Sequence, residues 1–431
     1  MIGSSLDILI LGHNYAPEPI GIGPCTAGMA EALAESGHRV RVICGQPCYP
    51  AWKIDPAYRG IWPRRSRESG VSVLRLPLYV PAVPRGWPRA AHHLCFALLA
   101  AAALIAVLLL RRRPDIVVAV APSFLSAIVA RLFGWAARRP VWVHVQDFEL
   151  DMASATGQLS IADHPLMRRL QRLGHRGNRV SSISPAMCDK LVASGNDPRR
   201  VIEFRNWANP AVEPLTEASP CRAQWRINEP FIALYSGNIA AKQGIPIIFE
   251  AAKLLAARRD LLFVICGDGP ERERLEHLAA GCENVRIFGL QPMARLGDLL
   301  GLATIHLLPQ IGGAADLVLP SKLPNMLASG RPIIATAAPG TGLAEEIGAG
   351  GLTTPPSDAP AFAAAIERLL DDAPLRAACE QAAKERAATR WSKAAILTDL
   401  ERELRLLHAE WRALPSWRRS LPMPRPGLLA E

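Results

Sequence analysis

The sequence predicts an α/β protein built as two doubly wound units, each a parallel sheet wrapped by helices. Three observations carry that expectation. Short β-branched apolar runs recur, each followed by a stretch of helical length; the alternation pauses once in a Pro-rich segment; and it then restarts. At 431 residues the chain exceeds one ordinary core, and with half its residues apolar it has the material for two. The expected boundaries are 1–208 for the first unit and 225–395 for the second. A helix over 396–415 is expected to cross back to the first unit.

Each element has its local reason. LDILILG reads as the first strand, GIGPCTAGMAEALAESG as a Gly turn opening a helix, and HRVRVIC as the second strand. VSVLRLP, DIVVAV and VWVHV follow as strands, with FLSAIVARLFGWAA as a helix between the last two, and VSSISPAMCDKLVASG runs from strand into helix. ANPAVEPLTEASPCRAQWRINEP is rich in Pro and small polar residues and reads as a linker. FIALYSGN, LLFVICGDG, VRIFG, TIHLLPQ and PIIATAAPG then supply a second set of strands. Two such units leave the cleft between them as the place for a ligand.

The net charge of +10 belongs to the first half. Residues 1–210 hold 25 Lys and Arg against 14 Asp and Glu, whereas the remainder is nearly balanced at 24 against 25. The excess sits in clusters, RRSR at 64–67, Arg111 to Arg113, and a run from Arg168 to Arg179. Such a half attracts anionic lipid headgroups or a phosphorylated substrate, or is simply a solvated surface. Nucleic acid is not expected as a partner, because no zinc-finger spacing or aromatic RNA-binding motif accompanies the charge. Nine scattered cysteines without a C-x-x-C pair point to reduced thiols in the cytoplasm, and the N-terminus lacks the basic start of a secretory signal.

Leu94 to Leu110 is a run of 17 uncharged residues bounded by His92-His93 and Arg111-Arg112-Arg113. That is the lower edge of a spanning length. Pro114 and a buried strand follow at once, so the expectation is a helix covering the sheet or lying in a bilayer surface, with spanning as the alternative.

The chemistry-bearing residues fall at strand ends. VWVHVQDFELD turns from a buried strand into Asp147, Glu149 and Asp151, and ligands of open parallel sheets bind outside the carboxyl ends of the strands. The alternative is that these acids cap the next helix. His144 points to the opposite side by strand alternation and reads as structural. Gly21 and Gly23 after the first strand suit close approach of a phosphate to backbone, or a tight turn alone. In the second unit, Gly237 and Asn238 end a strand with Lys242 just beyond, Gly267 and Gly269 end the next, and Ser321 and Lys322 precede a helix. Three strand ends in one sheet each combine Gly or Ser with a nearby base, a pattern suited to a diphosphate.

With NYAPEPIGIG, SISPAMCDKL, FRNWAN, YSGNIAAKQG, GDGPERERLE, PSKLPNMLASGRPIIA and GGLTTPPSDAPAFAAAIERLLDD in this order, residues 6–410 resemble the retaining glycosyltransferases of family 4, which have the GT-B fold. Within that family the chain is similar to exopolysaccharide enzymes of the colanic-acid fucosyltransferase type. The resemblance implies transfer of a sugar, fucose being one candidate, from a nucleoside diphosphate donor to a lipid-linked acceptor, with retention and without a metal or other cofactor. It implies work at the cytoplasmic face of the membrane, with peripheral attachment. Lys242 would hold the diphosphate, the turn of Gly267, Asp268 and Gly269 would face the nucleotide, Ser321 and Lys322 would lie near phosphates or sugar, and Gly21 and Gly23 would close over the donor. Asp147 would stand beside the anomeric centre, with Glu149 as second choice. Two positions depart from the family pattern: Asn238 stands where many members carry Arg, and Asn325 where many carry the Glu that binds ribose. A sugar-nucleotide 2-epimerase of the same fold, or a silent membrane-bound scaffold, are the competing readings.

Overall fold

The computed structural model describes residues 4–19, 21–84, 86–148, 150, 164–311 and 319–419. The chain divides into two compact units, Met1–Arg205 with Leu397–Glu431, and Asn206–Ile396.

In the first unit, β1 (Asp7–Gly12), β2 (Arg39–Gly45), β3 (Arg64–Glu68), β4 (Val71–Leu76), β5 (Ile116–Ala121), β6 (Val141–Val145), β7 (Arg179–Ser182) and β8 (Val201–Glu203) form one sheet. Their spatial order is β3-β4-β2-β1-β5-β6-β7-β8. All neighbours run parallel except β3 and β4. The helices are α1 (Ile22–Glu35), α2 (Gly86–Leu109), α3 (Phe124–Ala137), α4 (Pro165–Gly174) and α5 (Pro185–Ala193). β5 and β6 are buried at every position, as strands covered on both faces must be, which is why IVVAVA and VWVHV carry no polar alternation.

The strand β3 was not visible in the sequence, where its Arg64 to Arg67 read as a basic cluster. Those arginines instead pair antiparallel with β4 through a two-residue turn, Ser69 and Gly70, both at positive φ. A charged strand at a sheet edge resists further pairing, so an edge tolerates what a central strand does not. Arg75 of β4 is buried and bound to Glu68, with Arg75 Nη2 donating to Glu68 Oε2 at 2.8 Å and to the carbonyl of Ala16 at 2.7 Å.

α2 starts eight residues before the apolar run and reaches Leu109. By length and composition it could cross a membrane. Its stripe His92, His93, Phe96, Ala97, Ala100 and Leu104 is nevertheless buried, and Phe96, Ala100 and Leu104 share a core with Leu9, Ile43, Ala127 and Phe133. The opposite stripe stays outside: Leu98 is 63% exposed, Ile105 57% and Leu109 76%.

The second unit has β9 (Phe231–Ser236), β10 (Leu261–Cys266), β11 (Val285–Phe288), β12 (Ile305–Leu308), β13 (Ile333–Thr336) and β14 (Gly351–Thr354) in a parallel sheet ordered β11-β10-β9-β12-β13-β14. Around it lie α6 (Pro220–Trp225), α7 (Pro246–Leu254), α8 (Arg272–Ala279), α9 (Leu296–Gly301), α10 (Leu323–Ala328), α11 (Gly342–Ile347), α12 (Ala359–Asp371) and α13 (Ala373–Arg390). Tyr235, Phe263, Phe249 and Phe362 fill one side, and Met326, Leu327, Leu343 and Trp391 another.

The Pro-rich segment expected as a linker is part of this unit. Ser219 caps α6 by accepting from Cys221 N, Cys221 is fully buried, and Leu215 lies so close to Gly301 that a Cβ there would meet it at 2.3 Å. Its few apolar side chains are used as packing, which composition averaged over the segment conceals.

α14 (Lys393–Ala413) closes the first unit. Leu400, Leu404 and Leu407 form its buried stripe. Arg405 donates to the carbonyl of Ser4 at 2.9 Å, Glu401 lies 3.3 Å from His38, and the buried Arg179 donates to Glu410 at 3.2 Å. Leu404→Ala should cost about 2–5 kcal/mol, read as a lower urea midpoint for this unit; an unchanged midpoint would remove the helix from that core.

Candidate functional site

The strand ends of the second unit are laced together through backbone. Gly237 N donates to the carbonyl of Cys266 at 3.0 Å, Ile239 N to Asp268 O at 2.8 Å, and Gly267 N to Phe288 O at 3.1 Å. The turns after β9 and β10 are therefore one construction. Glycine makes it possible: a Cβ on Gly267 would stand 1.9 Å from the carbonyl oxygen of Gly237, and one on Gly269 would stand 2.2 Å from that of Ile239. No side chain fits either gap.

Three groups brace this cradle. Arg272, at the start of α8, donates to the carbonyls of Gly267 at 2.7 Å and Phe288 at 3.3 Å while bonding Glu276 at 2.8 Å. The Tyr235 hydroxyl donates to Asn238 O at 2.7 Å, and burial pushes its phenol pKa up. Asp268 accepts from Gly269 N at 2.8 Å. Neither Arg272 nor Tyr235 was singled out in the sequence. The ERER run after GDGP held the first signal, but spacing alone does not show which Arg turns back onto the strand ends.

Lys322 immediately precedes α10. Its Nζ lies 3.9 Å from the centre of the Tyr235 ring, and its side chain passes 3.5 Å from where a Cβ on Gly237 would be. Ser321 beside it is exposed, as is Asn238. Asn325 serves the fold, its Oδ1 accepting from Asn209 N at 2.7 Å. Lys242 sits in the short turn Ala241–Gln243 before α7. Its side chain lies outside what the structure describes.

In the first unit, Gly21 takes the N-cap position of α1 at φ 78°, with no side-chain cap over the first turn. Gly23 packs on Glu18, where a Cβ would come within 3.0 Å. Glu18 is buried and accepts from Cys48 N and Tyr49 N, both at 3.0 Å, and from Asn14 at 2.8 Å. Burial raises its pKa, against the pull of those hydrogen bonds. Sequence reasoning missed Glu18 because a single acid between two prolines looks like a loop residue. It fastens the Gly turn to the loop after β2.

β6 delivers Gln146 and Asp147 to the carboxyl end of the sheet. Gln146 is buried and Asp147 partly exposed. His144 is buried, its Nδ1 2.9 Å from Ser181 Oγ, which also accepts from Trp142 Nε1 at 2.7 Å. Burial holds this imidazole down to about 3, so it stays neutral. Glu149 and Asp151 lie outside the described residues. At the end of β1, His13 is buried against His92 and His93 of α2, with ring centres 4.5 and 5.2 Å away. Burial, then the facing His93 and His92, hold it well below the usual histidine range.

Two α/β units, each built on a largely parallel sheet wrapped by helices, make up the GT-B fold of glycosyltransferases. Residues 21–207 match the glycosyl transferase 4-like domain and residues 220–386 the glycosyl transferases group 1 family. The chain belongs to the family 4 glycosyltransferases. It is 36% identical over 345 residues to the putative colanic acid biosynthesis glycosyl transferase WcaI of Escherichia coli strain K12, covering 77% of this chain and 83% of that one. It is 33% identical over 192 residues to the alpha-D-kanosaminyltransferase of Streptomyces kanamyceticus, 43% of this chain and 49% of that one. Among solved structures it is similar in fold to Anabaena HepE in complex with UDP, with a TM-score of 0.68 and 17% identity, covering 93% of this chain and 100% of the other. WaaG, a glycosyltransferase involved in lipopolysaccharide biosynthesis, matches with a TM-score of 0.62 and 17% identity over 91% of this chain and 98% of its own.

Gly267→Ala should lower the stability of the second unit by about 1–3 kcal/mol, because the strand-end turns must separate. Gly281→Ala, where the nearest atom to a new Cβ is 3.9 Å away, should leave the melting temperature unchanged. Equal effects of the two substitutions would show that the 237/267 contact is not a constraint.

Proposed function

We propose that this enzyme is a retaining glycosyltransferase that moves a sugar from a nucleoside diphosphate donor to a lipid-linked acceptor in exopolysaccharide biosynthesis, at the cytoplasmic surface of the membrane. The interlaced turns at Gly237, Gly267 and Gly269 carry the donor half of this reading. They bare backbone where side chains would otherwise stand, which suits close approach of a nucleotide diphosphate. Similarity to a colanic acid enzyme supports the exopolysaccharide pathway and makes fucose the first sugar to try.

In the reaction, the bond from the anomeric carbon to the diphosphate oxygen breaks and a bond to an acceptor hydroxyl oxygen forms on the same face of the sugar. The diphosphate leaves with the electron pair, and the proton of the acceptor hydroxyl passes to the departing diphosphate oxygen. Lys242 is assigned to the leaving diphosphate, whose charge grows as the bond breaks, with no metal required for that role. Asp147 is assigned to the sugar side, where a carboxylate stabilises positive charge developing at the anomeric centre or orients the acceptor hydroxyl. Ser321 and Asn238 are exposed polar groups available to the donor.

The outer stripe of α2 supports the membrane reading. A helix that buries one side and leaves Leu94, Leu98, Ile105 and Leu109 outside suits lying in a bilayer surface. It packs on α3, which exposes Leu132 and Trp135, and the exposed Arg111 to Arg113 follow it. Each arginine near an anionic surface adds about 1 kcal/mol of attraction.

A thermal-shift panel of UDP, GDP, ADP and their sugar conjugates tests the donor. One nucleotide should raise the melting temperature selectively; no shift with any would overturn the transferase reading in favour of a silent scaffold. With that donor, Lys242→Ala should lose both transfer and diphosphate affinity. Asp147→Ala should keep the affinity and lose about a hundredfold or more in kcat, so equal loss of affinity in both variants would sink this division of roles. Conversion of donor without an acceptor would instead identify an epimerase.

Replacing Arg111 to Arg113 with Gln should reduce recovery on vesicles containing anionic lipid at moderate salt. Replacing Leu98 and Ile105 with Ser should reduce it at any salt. Unchanged partitioning in both would remove α2 from the membrane.

A further inference from the structure

The second unit has a pocket at the end of its sheet opposite the glycine cradle. Phe231 opens β9, Thr304 precedes β12 and Arg331 comes just before β13, so the pocket stands where strands begin. Along β9 this is roughly 20 Å from Gly237, at about 3.3 Å per residue. All of its lining residues belong to this unit, and they and the residues beside them in sequence are among those described. The cavity measures about 250 Å³.

Three arginines from separate segments line it. Arg222 of α6 donates to the carbonyls of Glu229 and Pro230, both at 2.8 Å, which sets its guanidinium beside Phe231. The guanidinium of Arg376, from α13, lies 5.6 Å from the centre of the Phe231 ring. Its Nη1 donates to Leu369 O at 2.8 Å and Leu370 O at 2.7 Å, where α12 ends. Arg331 approaches Glu380 of α13 only to 3.7 Å, and its Nε is withdrawn from solvent with no hydrogen-bond partner among the described residues. A guanidinium carries five N–H groups, so holding loops and a helix end uses only part of what these arginines offer. Thr304 adds a hydroxyl, since its Oγ1 accepts from Ile232 N at 3.0 Å and keeps its own O–H to donate. Glu217, which is exposed, is the second acid in the lining beside Glu380, so the three arginines leave the pocket positive.

Guanidiniums pinned by neutral carbonyls keep both their charge and their planar fork, the arrangement that recognises phosphate oxygens. A phosphomonoester presents three such oxygens, whereas a carboxylate presents two. The cavity is smaller than the roughly 300–1,000 Å³ of pockets for drug-sized ligands, which suits one monosaccharide and excludes a nucleotide sugar. We propose that this pocket is a second anion site of the protein, which takes the phosphate of a small phosphorylated sugar at the amino ends of β9, β12 and β13. It shares no residue with the cradle of Gly237, Gly267 and Gly269, so its occupation is independent of the donor reading. An occupant bridges strand starts to α13 and stabilises the native protein by mass action.

The test is titration calorimetry and thermal melting of the full chain with glucose 1-phosphate, inorganic phosphate and glucose, at one ionic strength set with sodium chloride. Glucose 1-phosphate should bind and raise the melting temperature, inorganic phosphate should do so more weakly, and glucose should do neither. Arg222→Gln should weaken glucose 1-phosphate by about tenfold or more. Glu380→Gln leaves all three guanidiniums in place and removes the acid beside Arg331, so it should tighten binding by about twofold to fivefold. That second variant decides the matter if Arg222→Gln fails to fold, because arginines with a structural role alone would give it no effect on affinity. The proposal is overturned if neither phosphate binds, if glucose 1-phosphate binds no tighter than inorganic phosphate, or if Glu380→Gln leaves the affinity unchanged. Displacement by the nucleotide that fills the cradle overturns it too, by placing the phosphate there. None of these outcomes removes the transferase reading, which falls only with donor binding itself.

Discussion

A parallel sheet has to be covered on both faces, and the rest of this structure follows from that requirement. Strands such as β1, β5, β6, β9 and β10 are buried nearly throughout, so they carry no chemistry along their length. Polar groups can emerge only where strands stop. That is where His13, Asp147, Gly237, Gly267 and Lys322 all stand, each at a strand end or just before a helix. The same requirement explains α2: a helix apolar all round is tolerated because one side of it seals the sheet.

Within the second unit the close approach of two turns is the controlling detail. Gly237 and Gly267 touch backbone to backbone, and the contact brings the loops after β9 and β10 into one surface. A side chain at position 267 would fill the space with its own carbon. Tyr235 then acts twice, its hydroxyl holding Asn238 in place and its ring forming the floor beneath Lys322. The ring face is the negative side of an aromatic quadrupole, which tolerates a cation without neutralising it.

Much of this was legible in the sequence, and the gaps have physical causes. Apolar runs such as LLFVIC and FIALYS announced central strands because burial on both faces leaves no other composition. β3 was hidden, because an edge strand can be made of Arg and Glu, and β14, because GLTT is short and contains Gly. The glycine turns showed as glycines, yet their mutual contact did not, since spacing along the chain carries no information on distance between strand ends. Lys322 was visible as a base near a site; the burial of its ammonium was not, because burial of one atom depends on Tyr235 and Gly237 from elsewhere in the chain. Glu18 and Arg272 bind backbone atoms, and such partners have no residue type to recognise.

The first unit is not finished by its own first 205 residues. Leu400, Leu404 and Leu407 complete its packing, and Arg405 reaches back to Ser4. During synthesis the ribosome must therefore deliver the whole of Asn206–Ile396 before that helix is available. At about 5–20 residues per second, the nascent sheet waits roughly ten to forty seconds with an uncovered groove, while α2 already exposes leucines of its own. Exposed apolar surface on a partly folded chain is what holding chaperones bind, so the yield of folded enzyme in a cell depends on how that interval is guarded as well as on the stability of the finished protein.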